Sequence, residues 1–406
     1  MKVKYNLPRK VVFCKKCVMS NQRPSSVSEF FHTPDRKKAK YLHINDEDGI
    51  CEACKQNEIK NQINWQEREK KLIQLLDKHR KNNGDYDCLV PGSGGKDSAY
   101  QAHILKYKYK MNPLVVTWPP ILYTEYGLNN YYNWINIGGF DSLVVRPNGR
   151  VMKELTKLSI LNLLHPFQTF ILGQKNIAPK IASKFNIKLI FYGENEAEYG
   201  NPIAENNSSL RKKSYFAVKN YNKIYLAGIK ISELIKKNRL HYKDLKIFLP
   251  INNSEITKTK TEVHYLGYYL KWTPQEAFYY AVKNTGFKPR PFRTQGTFSK
   301  YNSIDDKIDD LHYYTTFVKF GIGRATYDAS QEIRNKHLTR EEGINLVKKY
   351  DGEFPDIYFS EVMKFLEIKE ETFNKTCNKF RSPHLWKKIN NKWKLRFTVS
   401  RDGTDD

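Results

Sequence analysis

The sequence predicts an α/β fold: a parallel sheet with helices on both faces, preceded by a small metal-stapled unit and followed by a helical region. Three observations carry this expectation. Between residues 84 and 193 short apolar runs alternate with helical patterns, as in "YDCLV", "DSAYQAHILKYKYK", "PLVVTW", "SLVVRP" and "KLIFYG". Strands and helices in that alternation build parallel sheets. Two Cys-x-x-Cys pairs lie in the first 60 residues, and beyond residue 260 the chain reads as successive capped helices.

The N-terminal unit, residues 1–61, holds "CKKC" and "CEAC", with 33 residues between Cys17 and Cys51. Thiolates at this spacing grip one tetrahedral ion from two knuckles, so Cys14, Cys17, Cys51 and Cys54 are the expected Zn²⁺ ligands. A unit this small has little core of its own and gains from such a staple. His32 and His43 fall inside the interval, but four thiolates already complete the ion. Residues 62–82 form a linker helix, with Trp65, Leu72, Leu75 and Leu76 near helical spacing, ended by "NNGD".

Residues 83–259 carry the alternating pattern, with helices expected at about 151–164 and 176–186. Residues 260–406 form the helical C-terminal domain. Its first helix has Thr273 as N-cap, Pro274 at the first helical position and Gly286 as its stop.

The chain has 406 residues and a formal charge of +26, with Lys supplying 52 of its 69 basic side chains. Residues 206–260 alone carry 13 Lys and Arg against three acids. Such a balance suits nucleic acid or other anions. The excess is mostly dispersed lysine, which predicts attraction to nucleotide phosphates and no specific nucleic-acid surface. No apolar run approaches the roughly 20 residues of a membrane span, and the N-terminus lacks a signal-peptide core. A cytoplasmic protein without membrane attachment is expected.

The segment "PGSGGKDS", residues 91–98, follows the first strand. It lacks the glycine spacing of a Walker loop and of a dinucleotide fingerprint. Gly94 and Gly95 allow several N–H groups to converge, and the following helix adds its positive end. Ser93 and Ser98 add hydroxyls and Lys96 a charge. Asp97 belongs beside a phosphate only if it orients the loop or meets Mg²⁺.

"SGGKDS" after a strand resembles the pyrophosphate loop of the PP-loop ATP pyrophosphatases, whose domain is of the adenine nucleotide alpha hydrolase, or HUP, type. That resemblance implies ATP, adenylation and release of pyrophosphate into the loop, with Ser93, Gly94, Gly95, Lys96, Asp97 and Ser98 as the grip. "CKKCVMSNQRP", "GICEAC", "FYGENEAEYG", "YLGYYLKWTPQEAFYYAVKNTGF", "GTFSKYNSIDDKIDDLHYYTTFVKFGIGRATYDASQEIRNKHLTREEG" and "FRSPHLW" extend it over nearly the whole chain. Together they resemble the N-acetyl sugar amidotransferase family of bacterial surface-sugar synthesis, including O-antigen, pseudaminic and legionaminic acid sugars and flagellin glycosylation. The family pattern is departed from at Gly92 and in "HPFQTFILGQKN".

The resemblance implies an ATP-dependent ligase that turns an acetamido group into an acetamidino group. Lys2 stands where a glutaminase would carry its nucleophile, and Cys88 and Cys377 lie within secondary structure. The resemblance therefore implies that ammonia comes from separate partners, a glutaminase subunit and a barrel subunit like that of imidazole glycerol phosphate synthase. The alternative is a PP-loop tRNA-modifying enzyme, which suits the charge and the cysteine unit. A non-enzymatic nucleotide-binding scaffold is the third class.

Further candidates follow. Glu194, Glu196 and Glu198 follow the strand "KLIFYG", at the edge where acids would meet Mg²⁺ or sugar. Thr117 and Trp118 end the second strand beside the expected adenine pocket. Lys300, Lys307 and Arg324 are candidates to neutralise pyrophosphate or a sugar carboxylate, Lys300 and Arg324 as catalytic residues with Lys96 and Asp97. Asp305 and Asp306 lie in the same segment.

Overall fold

The computed structural model describes residues 1–400 except 26–28, 38, 194, 204–206 and 238–239. Five parallel strands make the central sheet: β1 (Cys88–Pro91), β2 (Pro113–Thr117), β3 (Ser142–Val144), β4 (Leu189–Tyr192) and β5 (Glu262–Tyr265). Their order is β3-β2-β1-β4-β5. Cys88 to Pro91 pair in step with Pro113 to Val116, and Leu189 to Tyr192 with Glu262 to Tyr265. The order reverses between β1 and β4. At such a switch point the loops after two neighbouring strands part and leave a crevice at their carboxyl ends.

The longer helices are α1 (Glu52–Asn61), α2 (Trp65–His79), α3 (Lys96–His103), α4 (Glu125–Asn136), α5 (Gly149–Leu163) and α6 (Gln168–Lys184), then α7 (Pro274–Thr285), α8 (Asp309–Phe320), α9 (Arg324–Arg334), α10 (Arg340–Tyr350), α11 (Asp356–Leu366) and α12 (Glu370–Phe380); short helices at Ile231–Lys237, Tyr242–Leu245 and Asn253–Thr259 lie between β4 and β5. Alternate strand residues face opposite ways. Leu89, Leu114, Val116 and Ile190 pack with α5 and α6 on one face. Cys88, Val90, Val115 and Phe191 pack with Leu72 and Leu76 of α2 and with residues of α3, α4 and α7 on the other. Both faces are covered, as a parallel sheet requires.

The expected α/β class is the one observed, with differences of detail. Helix α6 starts at Gln168, eight residues before the expected 176, and runs through Pro179. Proline cannot donate to the carbonyl four residues back. That carbonyl, on Lys175, accepts instead from the Tyr192 hydroxyl at 3.4 Å. β5 was not anticipated, because only four residues pair and a long polar excursion precedes them. A C-terminal hairpin, β6 (Trp386–Ile389) and β7 (Lys392–Leu395), was also not anticipated.

The ends of the chain meet. Val11, Phe13, Val18, Met19, Leu42 and the four cysteines share one core with Phe320, Ile322, Ala329, Ile344, Trp386 and Val399. Arg340 donates to the carbonyls of Cys17 and Cys14 at 3.2 and 3.4 Å. His384 faces Gln22 at 3.2 Å. The helical region therefore packs on the sheet and on the N-terminal unit together.

Candidate functional site

The loop after β1 enters α3 through Gly95, its N-cap. Gly94 holds φ at +88°, and a Cβ there would stand 2.7 Å from the Tyr131 Cα and 2.8 Å from the Asn130 carbonyl oxygen. Only glycine permits this approach. The Ser98 hydroxyl donates to the Gly95 carbonyl at 3.0 Å, closing the first turn. The Lys96 ammonium, with its residue 7% exposed, reaches both Asp97 carboxylate oxygens at 2.7 and 3.0 Å. The Ser93 hydroxyl donates to Asp305 at 2.6 Å. That bond ties the loop to the C-terminal region, 212 residues on.

Asp305 is pushed up to about 6 by burial, against the Ser93 hydroxyl that favours its charge. Asp306 accepts the backbone N–H groups of Ile121, Leu122 at 3.3 Å and Ile308 at 3.0 Å, and so fastens the segment before α4. Burial nevertheless pushes it up to about 7. The three amide donors oppose that shift, and the same bonds give Asp306 its structural role.

These residues open on a cavity of about 820 Å³. Its wall combines the β1 loop, α6, the N-terminal unit and helices α8 and α9. The volume lies in the upper part of the range for small-molecule sites. Val116 and Trp118 line it, while Thr117 between them is fully buried with its hydroxyl unpartnered among the described residues. Gly173 of α6 makes room for the Trp118 ring, since a Cβ there would lie 2.1 Å from it. Arg324 meets Asp328 at 2.8 Å and donates to the Tyr313 hydroxyl at 3.0 Å.

Of the sequence candidates, the structure brings Ser93, Gly95, Lys96, Asp97, Ser98 and Arg324 to this cavity, with Gly94 shaping the loop. Lys300 stands apart: it is exposed, and among the described residues its carbonyl accepts the Arg290 N–H at 2.9 Å while its ammonium has no partner. Lys307 pairs with Glu361 at 2.7 Å. Glu194 lies outside the described residues. Glu196 pairs with Arg211 at 2.9 Å and Glu198 with Lys60 at 2.8 Å, so both brace the loop after β4. Sequence reasoning missed Arg23, Lys175, Arg211, His312, Tyr327 and Arg334 on the wall. Arg23, His312, Tyr327 and Arg334 lay inside quoted matching segments and Lys175 inside "HPFQTFILGQKN", whereas Arg211 carried no such signal.

All four N-terminal cysteines are fully buried and free of disulfides. Cys14 Sγ lies 3.9 Å from Cys54 Sγ, and Cys17 Sγ 3.7 Å from Cys51 Sγ. Backbone N–H groups of Lys16, Cys17 and Cys51 point at Cys14 Sγ. Four sulfurs around one ion at metal–sulfur bonds of ~2.3 Å stand ~3.8 Å apart in a tetrahedron. The cluster fits a single metal ion.

Glu29, His32 and His165 also place three potential ligand atoms within 4.8 Å. Their hydrogen bonds read differently. Arg36 donates to His32 Nε2 at 3.2 Å, which leaves the ring proton on Nδ1, 2.9 Å from the Glu29 carboxylate. Burial pushes His32 down to about 3, consistent with a neutral ring. Cys88 and Cys377 are buried, with the Cys377 thiol pushed up to about 12 and that of Cys88 raised as well. Neither is an activated nucleophile.

Residues 295–399 match the family model of the C-terminal domain of WbpG-like LPS biosynthesis proteins. Asp305, Asp306, Arg324, Tyr327 and Arg334 all fall inside that segment. An uncharacterized protein of Methanocaldococcus jannaschii is 37% identical over 67 residues, 16% of this chain and 24% of the relative's length. The chain thus spans about a quarter of that relative. Among solved structures, the U34-tRNA thiolase NcsA of Methanococcus maripaludis with its [4Fe-4S] cluster is similar at 11% identity, over 83% of this chain and 88% of the other, with a TM-score of 0.31. NMN synthetase of Francisella tularensis is similar at 15% identity over 35% and 57%, with a TM-score of 0.25. A predicted subunit of tRNA methyltransferase from Methanocaldococcus jannaschii is similar at 14% identity over 55% and 83%, with a TM-score of 0.25. No helix among the described residues is long and apolar enough to cross a membrane.

Proposed function

We propose that this chain is an ATP-dependent amidotransferase of surface-polysaccharide synthesis, which converts an acetamido group on a sugar to an acetamidino group. One observation carries the reading. The anion-gripping loop after β1 and the segment matching WbpG-like LPS biosynthesis proteins close on the same cavity and touch directly, Ser93 on Asp305 at 2.6 Å.

An amide carbonyl is a poor electrophile. In the proposed reaction its oxygen attacks the α-phosphorus of ATP, and pyrophosphate leaves into the loop, where Lys96, the loop N–H groups and the start of α3 receive its charge. Ammonia then adds to the imidate carbon. AMP departs with the former amide oxygen, leaving an amidinium. Asp97 is the carboxylate suited to a Mg²⁺ ion accompanying the nucleotide. Zn²⁺ is the ion proposed for the four thiolates, in a structural role. Ammonia is proposed to come from a separate glutaminase with a barrel subunit, as the family resemblance implies, and the buried, unactivated Cys88 and Cys377 accord with this.

The test supplies ATP, ammonium at high pH and an acetamido sugar labelled with ¹⁸O in the amide, with mass spectrometry of the products. AMP carrying the label, with pyrophosphate, is the expected result. ADP and phosphate, or label retained in the sugar, would sink the reading. The second reading, adenylation of a tRNA base, is favoured by the basic 206–260 stretch. It predicts sub-micromolar tRNA binding at physiological salt, whereas incidental attraction fades steeply as salt rises.

A further inference from the structure

Helix α9 turns one face to the cavity: Arg324, Tyr327, Asp328, Gln331 and Arg334, at the three- and four-residue steps of a helical stripe. Arg23 of the N-terminal unit joins them, its guanidinium 5.5 Å from the Tyr327 ring centre. Arg23 is 6% exposed, and its Nη1 has no hydrogen-bond partner among the described residues. Burial, and then the neighbouring Arg334, disfavour the charge of Arg23, which Tyr327 and more distant anions favour; no carboxylate makes an ion pair with either arginine among the described residues.

The acids near them are committed elsewhere. Asp328 takes Arg324 and the Thr297 hydroxyl. Glu332 takes His337 at 2.6 Å and Gln275 at 3.0 Å. Glu196 and Glu198 take Arg211 and Lys60. The thiolates of Cys17, Cys54 and Cys51 favour the charge of Arg334 against its burial. Their attraction acts through space, while the sulfurs' hydrogen bonds come from backbone N–H groups. Two guanidiniums on one cavity wall, Arg23 buried and Arg334 half-buried, with no carboxylate partner among the described residues, are costly unless an anion completes them. Their planar forks match carboxylate and phosphate oxygens.

We propose that Arg23 and Arg334, flanking Tyr327, form an anion subsite that holds a carboxylate or phosphate group of the acceptor molecule. The nucleotide is the less suitable occupant. The β1 loop already supplies Lys96, N–H donors and a helix start, and these arginines come from the parts of the chain that build the rest of the wall. The proposal rests on the reading of the cavity as an acceptor site, and its test reads binding without turnover.

The probes are N-acetylneuraminic acid for a carboxylate, UDP-N-acetylglucosamine for a phosphate, and N-acetylglucosamine as the neutral control, measured by calorimetry on the metal-loaded full chain. One charged probe should bind at least tenfold tighter than the neutral one, and which one identifies the group. Arg23→Gln and Arg334→Gln should each remove that tenfold and leave MgATP affinity within about twofold. If Arg23→Gln disturbs folding, a wild-type salt titration decides in its place: the charged probe's affinity should fall steeply with salt and the neutral probe's should not. Equal binding of all three probes, a flat salt response, or variants that lose MgATP and keep the charged sugar would overturn the subsite. Loss of label transfer to AMP with the subsite intact would instead overturn the amidotransferase reading.

Discussion

Gly94 and Asp310 set the residue-scale expectations. A methyl group at position 94 meets backbone atoms of Asn130 and Tyr131, which cannot swing aside, at a φ that L residues resist. Gly94→Ala should cost on the order of 2 kcal/mol of stability and abolish MgATP binding, read by thermal melting and calorimetry. An unchanged melting point would contradict the packing. Asp310 is 3% exposed, and neither carboxylate oxygen has a hydrogen-bond partner among the described residues. Burial pushes it up to about 7. The folded state therefore holds this proton more tightly than the unfolded chain, and stability falls as pH rises from about 4 to about 7. Asp310→Asn should flatten that fall by on the order of 2 kcal/mol, measured by urea unfolding at pH 5 and pH 8. An identical slope in the variant would refute it.

At the scale of elements, α6 and β4 are joined by the carbonyl that Pro179 frees. Pro179→Ala restores the helical donor, so Tyr192→Phe should then cost less than in the parent, with a coupling of about 0.5 kcal/mol in a double-mutant cycle. Additive effects would show that the Tyr192 bond compensates nothing. This scale also separates what the sequence disclosed from what it hid. The β1 loop and the Cys-x-x-Cys pairs were legible because their chemistry sits within a few residues. Thr273, Pro274 and Gly286 marked α7 correctly for the same reason. The Asp305 contact to Ser93 and the Arg23–Arg334 wall join residues hundreds of positions apart, which no local pattern encodes. Lys300 looked equal to Arg324 in the sequence, and only packing turned one outward and the other into the cavity. The start of α6 was hidden by Pro179, whose cost is met by a tyrosine on another element.

Over the whole molecule, the four-cysteine cluster stands in a core shared by residues 7–54 and residues 320–399. Cys51→Ser, or a strong chelator, should therefore loosen more than the first 60 residues. Hydrogen exchange should rise in α9 and α10 as well as around the knuckles, with metal content falling below ~0.2 per chain. Protection unchanged between residues 320 and 350 would disprove the shared core.

The same shared core dictates an order of events during synthesis. The backbone N–H of Lys4 donates to Ser382 at 3.1 Å, and Trp386 packs in the cluster that holds Cys14. A ribosome delivers the first knuckle long before its packing partners leave the exit tunnel, so the segment that holds it must wait, its apolar residues uncovered, until residues 320–399 have been made. Contacts of such sequence separation form slowly. Capture of a metal ion by four cysteines only 40 positions apart from first to last would be a local event open to that segment while the rest of the protein is still being made.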